Sequence, residues 1–250
     1  MKNRSLIYPL ITIGLLLIFI NSCKKSENSS PGNPTNGKTT AIFNTSKTYG
    51  SMTDQDGNVY KTIKIGTQTW MAENLRTTKY RNSEVIPKVT DNTAWSVLST
   101  GAYCNYKNSS NNDTIATYGR LYNWYSVVDT RNIAPTGWHV PTDADWTTLI
   151  TYLGGEGIAG GTLKELGLTH WISPNALADN TSGFTALPGG CRNNDGTFSY
   201  IGQDGDWWSS TEYGTSSAWG WNVPFNNSNS SALPKVDKVF GFSVRCLQDN

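Results

Sequence analysis

Ten tryptophans in 250 residues constrain the fold of this chain more than any other feature. All ten lie beyond residue 54, and Trp207, Trp208, Trp219 and Trp221 crowd towards its end. Rings of this size dominate any core they enter. They can therefore fill a domain that is rich in loops and has few long helices. Trp207 and Trp208 are neighbours, so in a strand they point to opposite faces and cannot share a layer. Trp219, Trp221, Val223 and Phe225 alternate onto one face. Most of these rings are expected to be core. Trp207 and Trp208, bordered by Asp204, Asp206 and Glu212, form the candidate ligand platform. Flat apolar faces beside hydrogen-bonding groups suit sugars and protein loops alike.

Apolar spacing places two main helices. Leu121, Trp124, Tyr125 and Val128 recur at helical intervals, as do Trp146, Leu149, Ile150 and Leu153. Thr142 is placed to cap the second helix, Asp143 and Asp145 favour its positive end, and Gly154-Gly155 closes it. A short third helix is expected around 162–166. Before these, Val59, Ile63 and Ile65 alternate as a strand that turns at Gly66-Thr67 towards Gln68–Met71. After residue 183, Gly- and Asn-rich turns separate strand-like segments. In the last of these, Phe240, Phe242, Val244 and Cys246 share one face, with Ser243 and Arg245 on the other. The order implies an α+β domain over 54–248 with a mostly antiparallel C-terminal sheet.

The N-terminus reads as an export signal. Lys2 and Arg4 precede an apolar run, Leu6 to Ile20, that closes on Asn21-Ser22-Cys23. A cysteine after a small residue resembles a lipobox, so residues 1–22 are expected to be removed and Cys23 acylated. More than one acyl chain gives a stable membrane anchor. Residues 23–53, polar and rich in Ser, Asn, Pro and Gly, are expected to form a flexible tether. Of 20 basic side chains two fall in the signal, leaving 18 against 19 acidic ones. No basic stripe remains to neutralise phosphates, which argues against nucleic-acid binding. The location expected is the cell envelope, most specifically the outer membrane.

Chemistry is sparsely signalled. Cys104, Cys191 and Cys246 remain once Cys23 is lipidated, enough for one disulfide, and spacing does not select the pair. The two histidines, His139 and His170, are not near the cysteines in sequence, so no metal site and no cofactor is expected. Asp54 and Asp56 before Gly57 form a turn rather than a calcium loop, because Ile65 occupies the position of the closing carboxylate. A hydrolase pairing Cys191 with His139 lacks any sign that the two meet. Asp204, Asp206 and Glu212 are the best carboxylates for glycoside hydrolysis. Asp113-Thr114-Ile115 resembles an O-glycosylation acceptor in a polar loop.

Six segments in order, GTQTWMAENL, ATYGRLYNWYSV, GWHVPTDADW, SGFTALPGG, DWWSSTE and FGFSVRC, resemble the Fibrobacter succinogenes major paralogous domain. That resemblance implies a distant relation to the C-type-lectin-like and formylglycine-generating-enzyme folds, and an exported or lipid-anchored protein. It also implies a Cys104–Cys246 disulfide. Cys191 then stands as an extra thiol where the family usually has an aromatic residue. The family's fold carries no activity with it. The function expected is a non-catalytic envelope module that binds a glycan or a surface protein. The alternatives are a carbohydrate-processing enzyme and a structural component without a small ligand.

Overall fold

The structure is a computed structural model and describes Met1 and residues 32–249. The expected signal segment and Cys23 lie outside the described residues. Strands β1 (Gly50–Thr53), β2 (Val59–Ile65) and β3 (Gln68–Met71) form an antiparallel meander. Gly66, at φ +60, supplies the β2–β3 turn that the sequence pattern predicts. Helix α1 (Asn92–Ser96), β4 (Tyr103–Cys104), α2 (Asn112–Tyr118), β5 (Leu121–Tyr122) and α3 (Trp124–Val127) follow. Next come β6 (Trp138–His139), α4 (Asp143–Tyr152) and α5 (Glu156–Leu163). The C-terminal third holds β7 (Cys191–Arg192), β8 (Phe198–Ser199), β9 (Asp204–Glu212), β10 (Ser217–Pro224), β11 (Ser231–Asp237) and β12 (Leu247–Gln248). Among the described residues one sheet runs β1-β2-β3-β12-β6 and another β11-β10-β9, with two-stranded pairs β4-β5 and β7-β8. The protein is an α+β domain whose named strands pair antiparallel.

Helix α4 follows its sequence signals. The Thr142 side chain accepts from the Asp145 amide, Asp145 reaches back to the Thr142 amide, and Trp146, Leu149 and Ile150 are buried. The other expected main helix shrinks to one turn. Leu121 and Tyr122 are drawn into β5 against Cys104 and Tyr103. Asn123 then caps the helix at its own position by accepting from Ser126. Helix α5 lies earlier than the segment expected around 162–166 and ends at Leu163, because Lys164 turns to extended backbone and pairs with Ala186.

The expected tether is also corrected, for residues 33–53. Thr35 is 5% exposed and its hydroxyl accepts from Arg76 Nε at 2.9 Å. The Ile42 amide donates to Glu165, Tyr49 donates to the Gly183 carbonyl, and β1 begins at Gly50. Polar composition here reflects hydrogen bonding to the domain, not lack of order.

Two large core clusters flank β9. Trp207 packs with Trp70, Trp146, Phe184 and Trp221, while Trp208 packs with Tyr122, Phe242, Val244 and Cys246. The opposite directions of the two neighbours match the alternation argument. Residues 239–246 thread through the centre, touching neighbours at single bridges such as Tyr122↔Phe242 and Trp207↔Ser243. Both faces of that segment are buried, Ser243 and Arg245 included.

Candidate functional site

The expected platform is dismantled by burial. Trp207 and Trp208 are 1% and 0% exposed, so neither offers a face to a ligand. Their indole nitrogens are spent internally, Trp207 donating to Asn74 Oδ1 at 2.9 Å and Trp208 to the Tyr122 carbonyl at 2.7 Å. The three acids beside them separate as well. Asp206 is buried and accepts from Asn222 Nδ2 at 2.8 Å. Burial pushes its carboxyl up to about 7, with Asn222 pulling it back and the charge of Asp204 adding to the rise. Burial also raises Asp204. Glu212 lies at the far end of β9, exposed and paired with Lys238. Six strand residues span roughly 15–20 Å. Paired glycosidase carboxylates need about 5–9.5 Å, so Glu212 cannot partner Asp206.

The cysteines are corrected too. Cys104, Cys191 and Cys246 are all free and buried, and the Cys104–Cys246 bridge is not formed. Cys104 packs with Trp95 and Leu121, whereas Cys246 belongs to the separate cluster around Trp208 and Phe242. Burial pushes the Cys104 thiol up to about 12 and raises Cys191 and Cys246 as well. Such thiols are poor nucleophiles. Cys191 meets Asn193, while His139 is engaged with Asp249 and Asp145, so that pair is not brought together. Asp113-Thr114-Ile115 lies in the first turn of α2, with Ile115 buried, rather than in a loop. Among the described residues no group of three or more His, Cys, Asp or Glu side chains could hold a metal ion.

The structure instead builds a surface site at the end of the β11-β10-β9 sheet. On β10, Ala218 and Gly220 are separated by Trp219 alone. Opposite them on β9 stand Glu212 and Trp208, with three residues between. On β11 the partners are Val236 and Leu233, with Pro234 and Lys235 between. Trp219 is therefore flanked by a bulge on each side. A bulge bends a strand and re-aims its side chains. Here Trp219 stays half-buried and meets Tyr213 edge-on, with ring centroids 5.4 Å apart at 66°. Tyr213 is 43% exposed. Lys235 adopts a left-handed φ of +64 and carries its ammonium to 5.7 Å from the Tyr213 centroid.

The turn after β9 is held firmly. Tyr213 donates its amide to the Ser217 carbonyl at 3.0 Å, and the buried Lys238 donates to the Thr215 carbonyl at 2.9 Å while resting over the Trp124 ring. Tyr213, Thr215, Ser216, Ser217, Lys235 and Asp237 line an open groove of about 520 Å³. It offers an aromatic face, hydroxyls, a cation and a carboxylate within one depression. Sequence reading overlooked Tyr213 and Lys235. The available signal was Pro234, since a proline inside a strand marks an edge or a bulge.

Of known families, the one described as Fibrobacter succinogenes major domain matches residues 63–248. The chain belongs to that family. The Fibrobacter succinogenes major domain thus includes β9, β10, β11 and the groove, while the packed segment 33–49 precedes the match. Neither curated proteins nor solved structures give a match to the chain.

Proposed function

We propose that this protein is a lipid-anchored component of the cell envelope whose domain binds a glycan without cleaving it. The observation that carries the reading is the exposed Tyr213 ring, backed edge-on by Trp219 and set beside Ser, Thr, Lys and Asp side chains in an open groove. Sugar rings present flat C–H faces that stack on such aromatics, and their hydroxyls suit the polar rim. The signal-like start and Cys23 supply the anchor, and the outer membrane is the location this reading favours. A C-type-lectin-like arrangement, related to the formylglycine-generating-enzyme fold, is part of the same proposal. So is the alternative partner, a surface protein docking on the same aromatic pair.

The experiment takes the chain lacking residues 1–23 to a glycan array and to insoluble polysaccharides, with analysis of released products. Retention without products, lost in Tyr213→Ala and Trp219→Ala variants that remain folded, is the expected result. Released sugars would replace binding with hydrolysis. Retention unaffected by either substitution would move binding away from the groove. Palmitate labelling of the full chain checks the anchor, and labelling of Cys23→Ala equal to wild type would refute it.

A further inference from the structure

The charges around the groove are unevenly committed. Glu212 is paired with Lys238, and Lys238 also donates to the Thr215 carbonyl. Asp237 accepts from the Val239 amide at 3.0 Å and from Asn194 Nδ2 at 3.4 Å. Lys235 is different. It is exposed, its ammonium rests over the Tyr213 ring, and among the described residues no carboxylate forms an ion pair with it. The strand accommodates this side chain by a bulge and by a left-handed backbone that a lysine rarely adopts. Such a conformation is costly and tends to persist where a site uses it.

We infer that Lys235 selects a negatively charged glycan, a polysaccharide of uronic acids being the class this groove fits. The inference rests on the glycan-binding reading of the same site. A uronate ring would stack on the exposed Tyr213, which Trp219 braces from its edge, while its carboxylate accepts from the Lys235 ammonium. The hydroxyls of Thr215, Ser216 and Ser217 are available to the ring hydroxyls. Asp237 lines the same groove with neutral donors from Val239 and Asn194, which do not offset its charge, so the uronate carboxylate must lie on the Lys235 side, away from it. A charge-assisted hydrogen bond of this kind outweighs a neutral one. A neutral hexose keeps the stacking and forfeits that bond.

The test compares homogalacturonan with its fully methyl-esterified form, which has the same backbone without the charge, alongside hyaluronan, alginate, dextran and mannan. Affinity is measured for the chain lacking residues 1–23, for Lys235→Gln and for Tyr213→Ala. At least one acidic polysaccharide should bind about tenfold more tightly than the neutral ones, with the preference lost in Lys235→Gln. Tyr213→Ala should abolish binding altogether, and added salt should weaken the acidic preference. Neutral polysaccharides bound as well as acidic ones, with Lys235→Gln unchanged, would overturn the charge selection and leave glycan binding standing. Failure to bind any of the six would overturn both. Circular dichroism of the variants distinguishes lost binding from lost folding.

Discussion

At the scale of single residues, the interior is polar to a degree that apolar counting does not register. Arg76, Arg192 and Arg245 are each 2% exposed or less. Arg192 gathers carbonyls from Val89, Thr90, Asp91 and Gly196 while stacking 4.4 Å from the Trp95 ring. Arg245 joins Asn74 to Thr185 and lies 4.1 Å from the Phe184 centroid. These guanidinium groups gather oxygens from segments distant in sequence, which satisfies polar groups inside a core poor in long helices and strands. Asp206 is the buried acid and makes a pH prediction. Its carboxyl is raised by burial to about 7, above its ordinary value of 3.8. The folded state therefore holds a proton that the unfolded chain releases, and stability must fall as pH rises from about 4 through 7. Asp204 and Glu73 are raised by burial too and act in the same direction. Urea unfolding at about pH 5 and 8 should show this loss, on the order of a few kcal/mol from Asp206. Asp206→Asn, which can still accept from Asn222, should flatten it. Equal pH slopes in variant and wild type would refute the assignment.

At the scale of elements, legibility followed how much of each signal was local. Helix α4 carried its cap, its acidic first turn and its apolar stripe in one stretch, and all three operate. The stripe beginning at Leu121 was equally regular, yet Leu121 and its neighbour Tyr122 became a strand because Cys104 and Tyr103 were available to pair with them. Periodicity cannot report a partner distant in sequence. Of the two bulges around Trp219 only the one on β11 leaves a mark in the sequence, Pro234, since register belongs to three strands jointly. Helix α5 shows how closely such loops dock. A Cβ on Gly160 would meet the Asn229 carbonyl oxygen at 2.0 Å, whereas one on Gly157 would meet nothing within 4 Å. The two glycines should respond in opposite directions to the same change. Gly157→Ala should stabilise by about 0.5 kcal/mol by restricting the unfolded chain. Gly160→Ala should cost about 2 kcal/mol by displacing the 228–230 loop. Thermal unfolding of the pair decides this, and equal shifts in both would contradict the packing described.

At the scale of the whole molecule, the segment before the family match is fastened along the domain by hydrogen bonds. Composition made residues 33–49 look like a spacer, because threonines and asparagines bury little apolar surface. Their contribution is a hydrogen-bonded clasp instead. Glu165, fully buried, accepts from the Ile42 amide with one oxygen and meets His170 Nδ1 at 2.7 Å with the other. His170 Nε2 meets the Thr40 hydroxyl at 2.9 Å, and that hydroxyl meets Thr117 at the same distance. The order hydroxyl, imidazole, carboxylate has the outline of an activated nucleophile. Here each of these groups is bonded within the chain, and the set ties two distant segments together. Glu165→Ala would leave the Ile42 amide and His170 without their acceptor, a loss of about 2–4 kcal/mol. Glu165→Gln retains one carbonyl oxygen for Ile42 and should lose less. Limited trypsin digestion reads the clasp directly through Lys38, which lies next to the fastened residues. Cleavage there should accelerate in Glu165→Ala, rise less in Glu165→Gln, and precede digestion of the rest of the domain. If Lys38 were cut only together with the core, the segment would be part of one cooperative unit. If it were cut equally fast in wild type, the clasp would contribute nothing to holding it. The first pattern alone fits a strap fastened to an independently stable domain, because it requires local opening at a lower free energy than global unfolding.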